Sequence, residues 1–419
     1  MKTISSILTL AALSSLASAE VISDERREPP TAPPHQKIPH GKPKPEPGKL
    51  AFPIPGPLNP AFTTNLYNQL RQEDGNVFFS PYGISECMGM VYAGAGNNTA
   101  TEIGKALSFQ NDSNTTASQL QMMRAHLGRS LNQGDNRLRV ANALCVTGAV
   151  PKEGFQDIVR KQFEGELFAG GLDKINGWVK QQTEGNIEKI LDQLDPNSAC
   201  VLLNAVYFKG SWEQSFNARA THKAPFHLGN GEKVKVDMMM REGMFRVVRD
   251  MSMTAVELNY QTGASMVLIQ PAKADGMKAF EENLIPVIVN DLPTRLAKAE
   301  PQEAKLFLPK FKIATEFNLI PAMKGLGMSD AFMAKKSDFS VMYDRSDAHI
   351  GQIKHKATLE VDEQGSVATA ATAVEMKLES AFIEPPKPKI RFDRPFLVVI
   401  RDRASGTNLF MGRINDPTQ

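Results

Sequence analysis

An α+β domain with a large antiparallel or mixed sheet is the fold class this 419-residue sequence predicts. Three observations predict it. Helix-like and strand-like segments are interleaved without the regular βαβ alternation of a parallel sheet. No internal repeat is present. From Leu58 onward no second linker interrupts the globular texture, so one large domain is expected.

The elements follow in order. Phe62, Leu66 and Leu70 recur at helical spacing in AFTTNLYNQLRQ. PYGISECMGMVYAGAGNNTATEIGKAL reads as a buried helix, a Gly-rich break and a short helix, and ASQLQMMRAHLGRSLNQ as another helix. RLRVANALCV is a strand. Residues 172–194 read as helical with a break at Gly185, and ACVLLNAVYFKGSW as a strand too apolar to be exposed. Short strands are expected at VKVDMMM, MFRVVRD, TAVELNY and ASMVLIQP, and a helix over 277–298. AKLFLPKFKI reads as one strand, FNLIPAMKGLG as helical, and HKATLEV, FLVVIRD and NLFMGRI as the closing strands.

The two ends of the N-terminal region differ from this texture. Lys2, the apolar run from Ile7 to Leu16 and the Ala17-Ser18-Ala19 pattern read as a secretory signal peptide over residues 1–19. Residues 20–57 are proline-rich and poor in apolar residues, which predicts an extended tether without a core. The globular domain is expected over 58–419 in a secreted, extracellular protein, or a periplasmic or cell-surface one if bacterial.

Composition excludes several classes. Apolar residues make up 42% and charged residues 22%, with a net charge of +2, so no basic field points to nucleic acid or an anionic membrane. No later apolar run is long enough to span a bilayer. Cys87, Cys145 and Cys200 each sit in an apolar run and read as buried free thiols. The nucleophile elbow, the phosphate loop and the H-E-x-x-H pattern are absent from the sequence. His349 and His355 lie close in sequence without acidic or thiol partners at ligand spacing, so neither a metal nor a cofactor is expected. Asn97, Asn111 and Asn114 each begin an N-x-[ST] triplet, a glycan acceptor in a eukaryotic secretory pathway.

One segment stands apart. EQGSVATAATAVEMKLESAFIEPPKPK, residues 363–389, is rich in small residues and too long for an ordinary loop. Alternate positions sort it into two faces, as in a strand. Ser366, Ala368, Ala370, Thr372, Val374 and Met376 carry no charge, whereas Val367, Thr369, Ala371 and Ala373 lead into the charged Glu375 and Lys377. The first set suits a core and the second an outer surface.

Several blocks together resemble the serpin family. NVFFSPYGIS, LNAVYFKGSWEQSF, VDMMMREGMF, LPKFKI, HKATLEVDEQGS, RPFLVVIRD and LFMGRIND stand in the family's order over residues 58–417. The resemblance implies three β-sheets, eight or nine helices and an exposed reactive-centre loop over about residues 364–391. It also implies a suicide-substrate inhibitor, not an enzyme, of serine proteases and also of cysteine proteases. Such an inhibitor forms a covalent acyl-enzyme complex and acts as a monomer. The alternative within the family is a non-inhibitory carrier, chaperone or binding protein.

Residues transfer from the resemblance one by one. Glu363, Gly365, Ser366, Val367, Ala368, Thr369, Ala370, Ala371 and Thr372 match the hinge, departing at Val367, where many inhibitors carry an acidic residue. Counting from Glu363 in the usual inhibitory register lands on Glu379 and Ser380 as the reactive bond. The segment is long, and Lys377 would suit a trypsin-like target, Leu378 or Phe382 a chymotrypsin- or elastase-like one. Ser80, Asn204 and His355 match the buried polar shutter, with Gly83 where serine is common, and Trp212 matches the breach. Arg124, Arg129, Arg137, Arg139 and His126 surround the helix that binds polyanions in some relatives, although an ordinary solvated face is the simpler reading.

Overall fold

The computed structural model describes residues 54–109, 112–146, 150–194, 200–366 and 386–419. Expectations for the signal peptide, for most of the tether, for Asn111, for hinge residues 367–372 and for the reactive bond at 377–382 therefore lie outside the described residues.

The chain opens with α1 (Pro60–Leu70), whose Phe62, Leu66 and Leu70 are buried as their spacing predicts. β1 (Val77–Phe79) leads into α2 (Pro81–Gly94), which is buried on nearly every side and capped by Ser80, whose hydroxyl accepts from the Gly83 N–H. α3 (Asn97–Ala106), α4 (Ser113–Leu131), β2 (Arg137–Val146), α5 (Glu153–Phe163), β3 (Glu166–Ala169) and α6 (Leu172–Gln182) follow. Then come β4 (Cys200–Ser211), β5 (His222–His227), β6 (Lys233–Arg249), β7 (Met253–Asn259) and β8 (Ala264–Pro271). α7 (Met277–Asn290), α8 (Leu292–Lys298), β9 (Pro301–Pro309), β10 (Phe311–Asn318) and α9 (Ile320–Gly325) precede the last strands. These are β11 (Ile350–Val361), β12 (Gly365–Ser366), β13 (Lys389–Arg391), β14 (Phe396–Asp402) and β15 (Asn408–Ile414).

One ladder runs β1-β15-β14-β8-β7-β6-β9-β13, with β5 also on β6. β6 carries it round: residues 233–246 pair with β5 and β9, and the last four residues with β7. The ladder is thus two sheets sharing one 17-residue strand. The other sheet runs β10-β11-β4-β2-β3, with β12 on β4, so the described residues form three sheets and nine α-helices.

Four expectations are corrected. The helix expected over 172–194 ends at Gln182. Beyond Gly185, side chains take the backbone donors: Thr183 Oγ1 accepts from Ile187 N, and Asn176 Oδ1 from Ile190 N and Leu191 N. The helix expected over 277–298 divides at Asp291, next to Leu292-Pro293. AKLFLPKFKI is two strands in different sheets with Lys310 as the crossing residue, because Pro309 interrupts the run. The strands expected at VKVDMMM and MFRVVRD are one strand, since REG continues the ladder to β9.

Buried side chains gather on both faces of the six-stranded sheet. Cys200 and Leu202 of β4 face the helical core with α1, α2 and α7, and Val206 and Phe208 face a second cluster shared with the other ladder. Val201, Leu203 and Ala205 face the opposite way, against Ile175, Trp178 and Val179 of α6 and Ile187, Ile190 and Leu191 beyond it. The three cysteines are buried and free, and burial pushes the Cys87 and Cys200 thiols up, which suits packing and not nucleophilic chemistry.

Candidate functional site

The site is a seam in the six-stranded sheet. β4 is antiparallel to β2, but its other neighbour, β11, runs parallel to it. The parallel pairing extends from Cys200 opposite Ile350 to Tyr207 opposite Thr358. Above that point residues 208–211 and 359–361 have no register with each other, so the seam is open at its upper end. The chain leaving β11 reverses there: Gly365 lies opposite Ser211 and Ser366 opposite Gly210, both antiparallel. A chain continuing in that direction runs antiparallel to both β4 and β11.

The reversal is tied down residue by residue. Asp362 Oδ1 accepts from Gln364 N at 2.8 Å and Gly365 N at 3.0 Å, and Asp362 N donates to Gly365 O. Three successive carbonyls of the turn are received by the segment after β4. Trp212 Nε1 donates to Asp362 O, Phe216 N to Glu363 O, and Trp212 N to Gln364 O. Trp212 is itself fixed by stacking on Tyr260, with ring centroids 4.5 Å apart. Glu363 accepts from Thr221 Oγ1 and Lys310 Nζ, both at 2.7 Å. Burial opposes ionisation of Glu363, but the bonds from Lys310 and Thr221 outweigh it and hold the carboxyl below the usual glutamate range. Gly365 has φ +148°, and a Cβ there would stand 2.1 Å from Gly210 O, so only glycine fits.

Lower in the seam lies a buried polar chain. His355 on β11 stands opposite Asn204 on β4. Its Nε2 accepts from the Ser80 N–H at 3.1 Å, which leaves the proton on Nδ1 to be donated to Asn204 Oδ1 at 2.6 Å. Asn204 Nδ2 donates to Asn142 Oδ1 on β2, and Ser80 Oγ donates to Leu409 O on β15. His355 is fully buried, and that burial lowers its pKa to about 3, so it is neutral. Gly83 departs from the expected serine for a visible reason. A Cβ would lie 2.5 Å from Val206 Cγ2 and 3.1 Å from the Asn204 amide.

The structure therefore brings Ser80, Asn204 and His355 together and places Trp212 and Glu363 at the open end. Asn142, Thr221, Lys310 and Lys356 join them without having been found by sequence reading. Lys356 Nζ donates to Lys189 O at 2.7 Å and so ties residues 186–194 across the seam. A polar outward position on an apolar strand was the only signal for it; Lys310 had none.

The five residues around α4 do not gather on one basic face. Arg124 is paired inward with Glu86 and donates to Gln162 O. His126 Nε2 lies 2.9 Å from the buried Asp402 carboxylate. Arg139 pairs with Glu184, Arg137 bonds Asn136 O, and Arg129 is exposed on α4. Asn97 and Asn114 are exposed, and the Asn97 amide donates to Asp338 at 2.6 Å. No group of His, Cys, Asp and Glu among the described residues is placed to hold a metal.

Fold and seam define a class: a large α+β domain whose chain, on leaving one edge of a parallel seam, turns back to pair with the other. A family model described as "Serpin (serine protease inhibitor)" matches residues 57–417. Alpha-1-antichymotrypsin of Homo sapiens is 34% identical over 377 residues, covering 86% of this chain and 88% of that one. Heparin cofactor 2 of Oryctolagus cuniculus is 31% identical, covering 86% and 77%. Human thyroxine-binding globulin complexed with thyroxine superposes with a TM-score of 0.78 at 26% identity, covering 86% of this chain and 98% of that one. The chain belongs to the serpin family.

Proposed function

We propose that the protein is a secreted suicide-substrate inhibitor of serine proteases, with cysteine proteases as a further target class, and not an enzyme. Residues 1–19 act as the signal peptide, 20–57 as a tether and 58–419 as the inhibitory domain. A target protease cleaves the loop, with Glu379–Ser380 the favoured bond. The released strand then enters the seam while the protease is still an acyl-enzyme. Nothing turns over; one inhibitor is consumed per covalent complex.

The register of the hinge carries this reading. Extending the pairing of Gly365 with Ser211 and Ser366 with Gly210 brings Ala368 opposite Phe208, Ala370 opposite Val206 and Thr372 opposite Asn204. Val374 then meets Leu202, and Met376 meets Cys200. Residues directly opposite in an antiparallel ladder share a face. The partners on β4 all point to the inner core or the polar chain, so the uncharged set is the inward set. Thr369, Ala371 and Ala373 come opposite Tyr207, Ala205 and Leu203, beneath the apolar side of residues 186–191. Small side chains there pass at least steric cost. Entry separates β4 from β11, so the Lys356 tie to Lys189 O must yield.

The likeness to thyroxine-binding globulin favours a second reading, a non-inhibitory carrier. The small, uncharged inward set supports inhibition over it. Incubation with a panel of proteases separates the two on denaturing gels. An inhibitor gives a complex that survives denaturation; a carrier gives only cleaved chain.

A further inference from the structure

We propose that Asn230, at the tip of the β5–β6 hairpin, is a modification site: it cyclises spontaneously to a succinimide and opens to isoaspartate or aspartate, with water the only co-reactant. This goes beyond protease inhibition and is independent of it.

The chain contains two Asn-Gly pairs, Asn176–Gly177 and Asn230–Gly231. Glycine after asparagine leaves no Cβ to hinder attack of its backbone nitrogen on the side-chain carbonyl. Local sequence does not separate the two pairs; the fold does. Asn176 and Gly177 lie inside α6, where the Gly177 nitrogen is committed to the helix ladder. The Asn176 side chain is held at both ends. Its Oδ1 accepts from Ile190 N at 2.9 Å and Leu191 N at 3.1 Å, and its Nδ2 donates to Leu191 O at 2.9 Å. Cyclisation there would break a turn of α6 and release the segment it caps.

Asn230 is differently placed. Asn230, Gly231 and Glu232 are all exposed. His227 pairs with Lys233, and Leu228 N donates to Glu232 O, so Gly229-Asn230-Gly231 is a three-residue loop. Gly231 closes it at φ +89°, the left-handed conformation such loops need at their last residue. The space around Gly231 is open, with nothing within 4 Å of where a Cβ would stand. One exposed bond, from Gly231 N to Leu228 O at 3.0 Å, must open to free the nucleophile. The electrophile is already set. Asn230 Oδ1 accepts from Glu232 N at 3.0 Å, which holds the carbonyl over the following peptide and polarises it.

In the first step Gly231 N bonds to Asn230 Cγ and gives its proton to solvent. The Cγ–Nδ2 bond breaks, and the nitrogen leaves as ammonia with a proton from solvent. Water then opens the succinimide at either carbonyl, giving aspartate or isoaspartate. Nδ2 now donates to Glu232 Oε2 at 3.0 Å, so the product sets two carboxylates together at the hairpin tip.

The full chain is incubated folded at mildly alkaline pH, digested and mapped by mass spectrometry. An isoaspartyl methyltransferase with labelled S-adenosylmethionine counts the isoaspartate. Conversion at Asn230 is expected at least tenfold faster than at Asn176, and the methyl label falls to background in Asn230→Gln. In urea the two sites are expected to convert within threefold of each other. Equal rates in the folded chain, no conversion at Asn230, or a label that survives Asn230→Gln overturns the proposal. A tenfold difference that persists in urea also overturns it, because local sequence and not the fold would then set the rates.

Discussion

Trp212 Nε1 lies 3.0 Å from the main-chain oxygen of Asp362, joining the end of β4 to the turn that leaves β11. The indole donates to the turn and its ring is stacked on Tyr260, so one buried side chain fixes where the chain turns back from β11. Trp212→Phe keeps most of the packing and removes the donor. A buried carbonyl then loses its partner, which costs about 1–3 kcal/mol. We expect a urea midpoint lowered accordingly, and more cleaved chain per covalent complex on titration with a protease. An unchanged midpoint would show that the bond contributes nothing.

Gly365→Ala tests the reversal itself. The new Cβ would meet Gly210 O at 2.1 Å, in a backbone conformation that L residues rarely adopt. The β12 pairing must shift, at roughly 1–3 kcal/mol. The expected result on gels is conversion from inhibitor toward substrate, with slower complex formation and more cleavage product. Full inhibition by this variant contradicts the placement of the turn.

Alternation along the hinge gives a paired prediction. In the proposed register Val367 comes opposite Lys209, which is half-exposed, and Ala368 opposite Phe208, which is buried. Val367→Glu is therefore tolerated, its carboxylate beside an ammonium. Ala368→Glu buries a charge without a partner and abolishes the covalent complex. The reverse pattern, measured on the same gels, would mean a register shifted by one residue.

His355 makes stability depend on pH. Its pKa is about 3 in the fold against about 6.5 in an unfolded chain. The folded value is depressed, so the His355 contribution is fully present above about pH 6.5. It is lost as pH falls toward 3, by about 1.4 kcal/mol per pH unit. Protonation would set an Nε2–H against the Ser80 N–H. His355→Ala is expected to melt lower at pH 7, because Ser80 N and Asn204 lose partners, but to show a flatter decline from pH 6.5 to 4. An equal decline in both proteins would assign the acid sensitivity elsewhere.

Much of this was legible in the sequence because local pattern and tertiary role agree. The α1 spacing and the apolar run of β4 each specify an element without help. The failures occur where long-range partners decide. Residues 186–194 have helical composition, yet Asn176 and Thr183 take their donors and the sheet takes their apolar side chains. Lys310 marks a crossing between two sheets, which no local period reports. In the site, Ser80, Asn204, His355 and Trp212 were found through family resemblance. Their partners Asn142, Thr221 and Lys310 meet them only in three dimensions. The cations around α4 left two readings open, because charge in a sequence does not reveal direction; Arg124 points at Glu86.

Once the loop is cut, the segment after Gly365 is expected to become a strand between β4 and β11. Cleaving the purified chain within the loop and measuring its thermal unfolding, with hydrogen exchange over residues 366–377, tests that most directly. Insertion predicts a large rise in melting temperature and strong new amide protection along 366–377. A cleaved chain that melts where the intact one does, with those amides still exchanging freely, would rule insertion out.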